Sequence, residues 1–473
     1  MKWNSRFVLF LLILLPILFG LFFNLNPQSR LVQDLWKKVE TSKNKQDYSS
    51  ILSAYKTINQ LMPWRTSDAI VIADASFQLG DWQETVETYE LLEDSDLSRS
   101  DLYQLAEAYW QLNELETARL VWQKIRDLPD NTVEDFEQLV QVQQQHQDWF
   151  GAYETLLIWQ REHPQDNSFY YALGLSQIIY DPESAHTSLT RAQERQNQQV
   201  DKIKQFMTAL PDLVEEKNSV RRLMIAGAVL SQQNEWAYAA AAYALVVRTV
   251  PDYAEAWALY SNALYYLGQD GLKALQTAQS LDANATLVRA ISGYYLRRES
   301  LYTDSLKVWE ELSDEEPDTP LWLFESGMTY ALAGNFEDAL TAYQKAAEIN
   351  ETDPYYWREL ARFCLDYSIG LDSIGLTAAR KALSLDPNNS DSNDLMGWIF
   401  YHLNDFVSAE RFVLKAKNLA PNSALIHLHL GQIYIQQNKL EAAEENLEKS
   451  IRFAQNDLIK EQAERLLSDF IKN

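Results

Sequence analysis

Residues 320–354 read PLWLFESGMTYALAGNFEDALTAYQKAAEINETDP. Within them Gly327 stands twelve residues before Ala339, and Glu351 follows twelve further on. The same interval joins Gly227 to Ala239, Gly293 to Ser305, Gly397 to Ala409 and Gly431 to Ala443, and Pro251, Pro317 and Pro421 close the interval again where the chain continues. From Gly293 to Gly327, and from Gly397 to Gly431, the step is 34 residues. A fixed period of that length means one supersecondary unit copied along the chain. Inside the copies apolar residues recur at three and four, as in Leu105, Ala108, Tyr109 and Leu112, which predicts helices and not strands. Turn signals fall midway through the copies, at Leu79-Gly80-Asp81-Trp82, Ala333-Gly334-Asn335-Phe336 and Leu403-Asn404-Asp405-Phe406. Gly and Asn end helices there because they accept the left-handed conformation. Pro63, Pro129, Pro164, Pro251, Pro317, Pro387 and Pro421 mark the turns between copies.

Composition narrows the function. The chain has 473 residues, 47% hydrophobic and 12% aromatic, which excludes disorder for the chain as a whole. A stacked array has no single core, so length sets no domain count. With 41 basic against 67 acidic residues the net charge is −26, which argues against nucleic acid and anionic membrane surfaces as general partners. The one cysteine, Cys364, excludes an internal disulfide framework and falls on an apolar helix face, where it reads as a small buried hydrophobe.

The repeat positions resemble those of the tetratricopeptide repeat family. Trp322, Gly327, Tyr330, Ala339, Tyr343 and Ala346 follow that family's pattern, as do Met396, Gly397, Phe400, Ala409, Ala416 and Pro421, and Leu430, Gly431, Tyr434, Ala443 and Leu447. Arg289, Gly293, Trp309, Leu312 and Pro317 match well. Leu105, Ala106, Tyr109, Ala118 and Trp122 form a degenerate copy, Leu139, Ala152, Leu156, Trp159 and Pro164 another, Ala73, Tyr89 and Leu92 a third, and Tyr55, Ile58 and Pro63 close a first. The resemblance covers most of the chain. It implies an all-α fold, a right-handed α-solenoid (superhelix) of about twelve helix-turn-helix units between Leu31 and Asn456, with a C-terminal capping helix. A glycine or alanine on the first helix of a unit, near an alanine or serine on the second, is expected to let the two backbones approach closely, and a larger residue there would overpack the contact.

The organisation expected along the chain runs as follows. Residues 1–6 are a short basic tail, 7–23 a transmembrane helix or signal-anchor, and 24–30 a linker. Residues 31–194 form a degenerate repeat array, 195–218 an irregular helical insert, 219–456 a second repeat array, and 457–473 the capping helix. The run from Phe7 to Phe23 carries no charge and follows Lys2 and Arg6. No small-residue cleavage site follows it, which favours an uncleaved anchor over a cleaved signal peptide. Its basic head resembles an export signal and favours an extracytoplasmic repeat region, while Arg30, Lys37 and Lys38 behind the run pull toward the opposite orientation. Membrane localisation through a single pass is the expectation. The insert has Val200, Ile203, Phe206, Met207 and Leu210 at helical spacing with Pro211 interrupting, so it reads as a docked extra helix, with a flexible hinge as the alternative.

Catalytic chemistry finds no foothold. No His-Glu-x-x-His, Gly-Lys-Ser/Thr phosphate loop or Gly-x-Ser-x-Gly stretch occurs. His427 and His429 are two apart on a helix and point in different directions. Carboxylate pairs such as Glu315-Glu316 and Glu444-Glu445 read as solvated faces. The expectation is a non-enzymatic chain with no cofactor, no metal, no nucleic acid and no small-molecule substrate, whose partner is protein, a peptide or helix segment, with an acidic one among the candidates. In the resembling family the first helices line a concave groove that holds such a segment. Projected onto this register, that face carries Tyr265, Tyr266, Tyr294, Arg297, Arg298, Phe324, Met328, Tyr355, Arg358, Arg362, Trp398 and Tyr401. Tyr, Trp and Arg are the types enriched where binding energy concentrates. The competing reading pairs the arginines with local acids such as Glu325 and Glu359 and makes the aromatics packing between units. The Lys-and-Asn clamp by which some members hold chaperone tails is absent, since Ala258 with Asn262, and Arg358 with Arg362, occupy the comparable places. The resemblance implies a membrane-anchored scaffold of an envelope-assembly or export complex; an accessory subunit of a glycosyltransferase or cytochrome-assembly complex, and a cytoplasm-facing regulator, are the alternatives.

Overall fold

The repeat period reappears in the backbone dihedrals. Gly80, Asn113, Gln147, Asn234, Gly268, Ser300, Gly334, Ser368, Asn404 and Asn438 all have positive φ, each just past the end of a helix. At Gly334 the closure is a two-bond cap: Gly334 N–H donates to Ala331 O at 3.1 Å and Asn335 N–H to Tyr330 O at 2.9 Å. In eight of the ten the following helix starts two residues on, often with a carboxylate cap, as where Asp405 accepts from Ser408 N–H. Each such turn is so short that the two flanking helices must run antiparallel.

The computed structural model describes residues 27–62, 66–93, 96–129, 131–195, 199–454 and 457–470. These contain 26 α-helices and no strand, in two compact units that meet in sequence at Val250 and Pro251. The first unit holds α1 (Pro27–Lys43), α2 (Tyr48–Leu61), α3 (Thr66–Gln78), α4 (Trp82–Tyr89), α5 (Arg99–Gln111), α6 (Leu115–Arg126), α7 (Val133–Gln145), α8 (Trp149–Glu162), α9 (Tyr170–Tyr180), α10 (Pro182–Arg195), α11 (Val200–Glu215), α12 (Ser219–Gln232) and α13 (Trp236–Thr249). The second holds α14 (Ala254–Tyr266), α15 (Leu272–Leu281), α16 (Thr286–Arg298), α17 (Tyr302–Glu315), α18 (Pro320–Leu332), α19 (Phe336–Ile349), α20 (Pro354–Asp366), α21 (Leu376–Leu385), α22 (Ser390–His402), α23 (Phe406–Leu419), α24 (Ala424–Gln436), α25 (Leu440–Phe453) and α26 (Asp457–Phe470). Successive helices pair, except α11 and α26. Helix α11 packs on α10 and α12 and buries Ile203, Phe206, Leu210 and Leu213. Helix α26 closes the second unit by burying Ala463 and Leu467 against Leu428 and Leu447.

The glycines make the pairs possible in a way the sequence reading placed only in part. A Cβ added at Gly293 would lie 2.5 Å from the ring of Trp309, and one at Gly227 would lie 2.5 Å from Tyr243. Gly327 meets Tyr343, Gly397 meets Val413 and Gly431 meets Leu447 in the same manner. The occupant of the hollow is thus the large residue sixteen positions on. The small residue twelve positions on lies beneath it: Ala239, Ser305, Ala339, Ala409 and Ala443 are all fully buried. In the α20–α21 pair a short π-helical turn over Leu371–Gly375 intervenes, and Gly375 supplies the hollow for Cys364, whose buried thiol is pushed up to about 11 by desolvation.

A second correction concerns the membrane. The anchor expected at 7–23 lies outside the described residues. Among the described residues no helix is long and apolar enough to cross a membrane. Helix α24, one of the most apolar, has 13 residues and so reaches only about 20 Å against a hydrocarbon core of ~30 Å. Its apolar side chains are spent on its neighbours α23, α25 and α26. The single-pass membrane localisation expected from the sequence is corrected accordingly: no described helix supports it.

Candidate partner-binding face

All twelve residues singled out from the sequence fall in the second unit, on α14, α16, α18, α20 and α22, the first helix of five successive pairs. The structure divides them into groups that are closed and groups that are open.

The closed group centres on Glu325 of α18, whose side chain is 8% exposed. Arg297 of α16 reaches it with Nη1 2.6 Å from Oε2, and the Tyr294 hydroxyl donates to Oε1 at 3.3 Å. Arg297 also lies over the Tyr294 ring at 5.4 Å. Burial raises the Tyr294 phenol well above its ordinary value, and the Glu325 carboxylate adds to this. Arg297 is therefore consumed inside the fold, as the competing reading of the sequence held for it. Phe324 is also inside. It is 4% exposed and packs between the rings of Tyr343 and Tyr355, at 5.6 and 5.5 Å. Met328 is half-buried against the same core. These residues join neighbouring units and do not offer a surface.

The open group begins at Arg298. Its guanidinium stacks 3.8 Å over Tyr265 and 4.8 Å from Tyr266, and donates to Asn262 Oδ1 at 2.9 Å. Among the described residues it makes no salt bridge, and stacking on two rings fixes the plane of its donors. Tyr265 and Tyr266 are 41% and 49% exposed. Two pairs further along, Tyr355 is 39% exposed, with Arg358 5.6 Å over its ring. The Tyr355 phenol is pushed up to about 12, first by burial and then by Glu359. Glu359 lies 3.7 Å from Arg358 Nε and 3.5 Å from Arg362 Nε, loose contacts shared between two cations, and Arg362 stays 45% exposed. Such partly solvated pairs contribute little to stability, which leaves Arg362 free to exchange Glu359 for another carboxylate.

At the far end Trp398 is sandwiched. The Tyr401 ring lies 4.5 Å away on one side and the His429 ring 3.9 Å on the other, both nearly parallel. His429 is held by Asp394, with Nδ1 3.0 Å from each carboxylate oxygen. His402 packs edge-on against Trp398, and burial together with the neighbouring His429 lowers its pKa. Sequence reasoning missed Asp394 and His429. They lie 35 residues apart, one repeat period to within a residue, and that spacing was the signal available. Among the described residues no group of His, Cys, Asp and Glu is placed to hold a metal ion.

Family models of the tetratricopeptide repeat match residues 292–354 and residues 424–457. Among curated proteins the chain is similar to a TPR repeat-containing protein of Methanocaldococcus jannaschii, 30% identical over 148 residues, and to the anaphase-promoting complex subunit CDC16 of Saccharomyces cerevisiae, 26% identical over 197 residues. The matches span 31% and 39% of this chain but only 25% and 23% of those relatives, about a quarter of their length. Among solved structures it is similar to yeast Tom70, at 15% identity and a TM-score of 0.45, covering 93% of this chain and 96% of that one. It is also similar to a tetratricopeptide repeat protein of Parabacteroides merdae, at 15% identity and a TM-score of 0.40 over 52% of this chain and 98% of that one. Residues 292–354 and 424–457 thus match tetratricopeptide repeats, and the paired helices with their recurring glycine hollows carry the same helix-pair architecture along the described residues, one that suggests a protein-interaction scaffold.

Proposed function

We propose that the chain is a non-catalytic scaffold that captures an extended or helical segment of a partner protein along the first-helix face of its second unit. The observation that carries this reading is the pairing of exposed tyrosines with incompletely neutralised arginines on neighbouring first helices: Tyr265, Tyr266 and Arg298 at one place, Tyr355 and Arg362 at another. Tyrosine supplies large contact area at small entropic cost, and an arginine fork offers two parallel bonds to a carboxylate. The segment therefore carries acidic residues beside apolar ones. Trp398 and Tyr401 extend the strip, and Arg297, Phe324 and Met328 support it from beneath. In the resembling family this face is the concave one.

The test is recovery of partner by the purified full chain, wild type against R298E/R362E. Arg362 is exposed and Arg298 half-buried, and circular dichroism verifies that the variant keeps its fold. Partner recovery should fall roughly tenfold, the loss of about 1.4 kcal/mol or more that two charge-assisted contacts supply. Recovery equal to wild type contradicts the proposal.

A further inference from the structure

A second charged surface lies on the opposite helices of the pairs. Between α21, α22 and α23 the chain forms an open recess of about 360 Å³ lined by Arg380, Leu383, Ser384, Met396, Phe400, Arg411 and Phe412. Its floor is apolar. Phe400 and Phe412 stack with centroids 5.6 Å apart and planes 9° from parallel, over the buried Met396. Its rim is cationic. Arg411 lies 4.7 Å over the Phe412 ring, and Arg380 stands exposed across from it. Neither guanidinium makes a salt bridge or hydrogen bond among those found in the described residues, and the carboxylate that senses Arg411 is Asp405, from a distance. Ser384 turns its hydroxyl to donate to Lys381 O at 2.7 Å, so its oxygen adds no charge.

Two guanidiniums and no carboxylate line this recess, in a chain where acids outnumber bases by 67 to 41. Comparable recesses elsewhere carry their own acids. One is lined by Glu84 and Glu87, with Lys56 bonded to Glu84 at 3.0 Å. Another, one pair earlier than the recess on α21–α23, has Glu348 in its wall. The architecture repeats: one pair on, Ser384 stands where Glu348 lies in the wall of the earlier recess, while Arg380 and Arg411 stand where that recess has Gln344 and Thr377. We infer that this recess is a second docking site for a protein partner, taking an aromatic or leucine side chain on the Phe400–Phe412 floor and an adjacent carboxylate between Arg380 and Arg411. Charge complementarity selects the occupant. An apolar side chain alone leaves two cations unmatched, and a polyanion without an apolar group leaves the stacked floor exposed and is repelled by the net charge of −26. The site is independent of the first-helix face proposed above, since it is built from the second helices and one buried edge of α22.

The chain supplies its own reporters. It has six methionines, of which Met396 lies in the recess and Met328 under the first-helix face. The experiment is a ¹³C-methyl methionine NMR titration of the full chain, with the Met396 signal assigned from M396L. The probe is an acetylated, amidated synthetic peptide of glutamates flanking a central phenylalanine. Parallel titrations use the same peptide with glutamines for glutamates, and inorganic phosphate. The Met396 methyl should shift saturably with the acidic peptide, and the apparent affinity should weaken roughly tenfold in R380A/R411A, whose exposed substitutions leave the other methionine signals in place. Should Met396 remain unmoved, shift equally in R380A/R411A, or respond as strongly to the glutamine peptide or to phosphate, the inference is overturned. A response at Met328 with Met396 silent also overturns it, while favouring the first-helix face.

Discussion

Single residues set both the packing and its limits. Gly227, Gly293, Gly327, Gly397 and Gly431 each face a ring or branched chain that fills the space a Cβ would need. Replacing one of them with alanine gains up to about 1 kcal/mol of helix propensity but overpacks the contact by about 1–3 kcal/mol. At Gly397 the obstructing atoms include backbone, Ala409 O at 3.0 Å and Val413 N at 3.1 Å, which cannot swing aside. G397A should therefore lower the urea midpoint. Gly334 has open space around it but φ of +80°, so G334A should cost about 1 kcal/mol through backbone strain alone. A G397A protein as stable as wild type would show that the helices slide apart freely. Glu325 is the other residue on which the second unit depends. Removing it leaves Arg297 buried and unpaired, and E325A should destabilise by about 3–5 kcal/mol, whereas E359A, which strips only loose contacts, should stay within about 1 kcal/mol of wild type by the same denaturation measurement. The period of the glycines and the small residue that faces each were legible in the sequence, but the large side chain that fills each hollow was not. Helical side chains tilt toward the N-terminus, so the residue sixteen positions on covers the spot above the residue at twelve. The spacing named the small residue at twelve rightly, for Ser305 Oγ donates to Gly293 O at 2.9 Å and Ala409 O lies 3.0 Å from a Cβ at Gly397, but a rule that ignores this tilt misses the side chain at sixteen that fills the hollow.

At the scale of elements, the junctions between pairs are where buried polar groups gather. Tyr89 of α4 places its hydroxyl 3.3 Å from Asp74 of α3, 3.4 Å from Asp101 and 3.0 Å from Gln104 of α5. One phenolic proton serves one of three acceptors at a time. Burial raises the Asp74 pKa from its ordinary value, and the charge of Asp101 adds to the rise. A carboxyl whose folded pKa is raised contributes stability that is full below its unfolded value and lost as pH climbs through the folded one. The D74N protein has no such loss. It should melt higher than wild type at about pH 7, and the gain should vanish by about pH 3, where wild-type Asp74 is also neutral. A gain independent of pH would refute this assignment. Another junction device recurs along the second unit. Trp257 and Trp357 donate Nε1–H to the carbonyls of Pro251 and Glu351, while Asn393 and His427 donate to those of Pro387 and Pro421. Each reaches six residues back to fix the turn from which its helix starts. The prolines of these turns were readable as punctuation. The tether was not, because tryptophan, asparagine and histidine share no side-chain class, only a donor at similar reach.

For the molecule as a whole, a repeat chain is stabilised by neighbours, so its ends and interruptions are its weak points. Helix α26 covers Leu428 and Leu447. Ending the chain after Ala454 should expose them and strip hydrogen-exchange protection from α24 and α25 first, while α18 and α19, with neighbours on both sides, keep theirs; uniform loss across the second unit would mean a single cooperative core instead. The helical architecture was legible because its signal is repeated, and errors in one copy are corrected by the next. The binding face was legible only in part. The register located the helices that carry it, but exposure is decided by packing between units, which put Phe324 and Arg297 inside and left Tyr265, Tyr266, Tyr355 and Arg362 outside. The central claim is that partners engage this outer set. Its most direct measurement places a photo-crosslinking amino acid at Tyr266, at Tyr355 and, as a control, at Leu120, which is 58% exposed on α6 of the first unit, with irradiation in living cells and analysis of adducts. The account predicts one common adduct from Tyr266 and Tyr355, lost when R298E/R362E is added, and none of it from Leu120. Adducts absent from both tyrosine positions, or unaffected by the arginine substitutions, would contradict it.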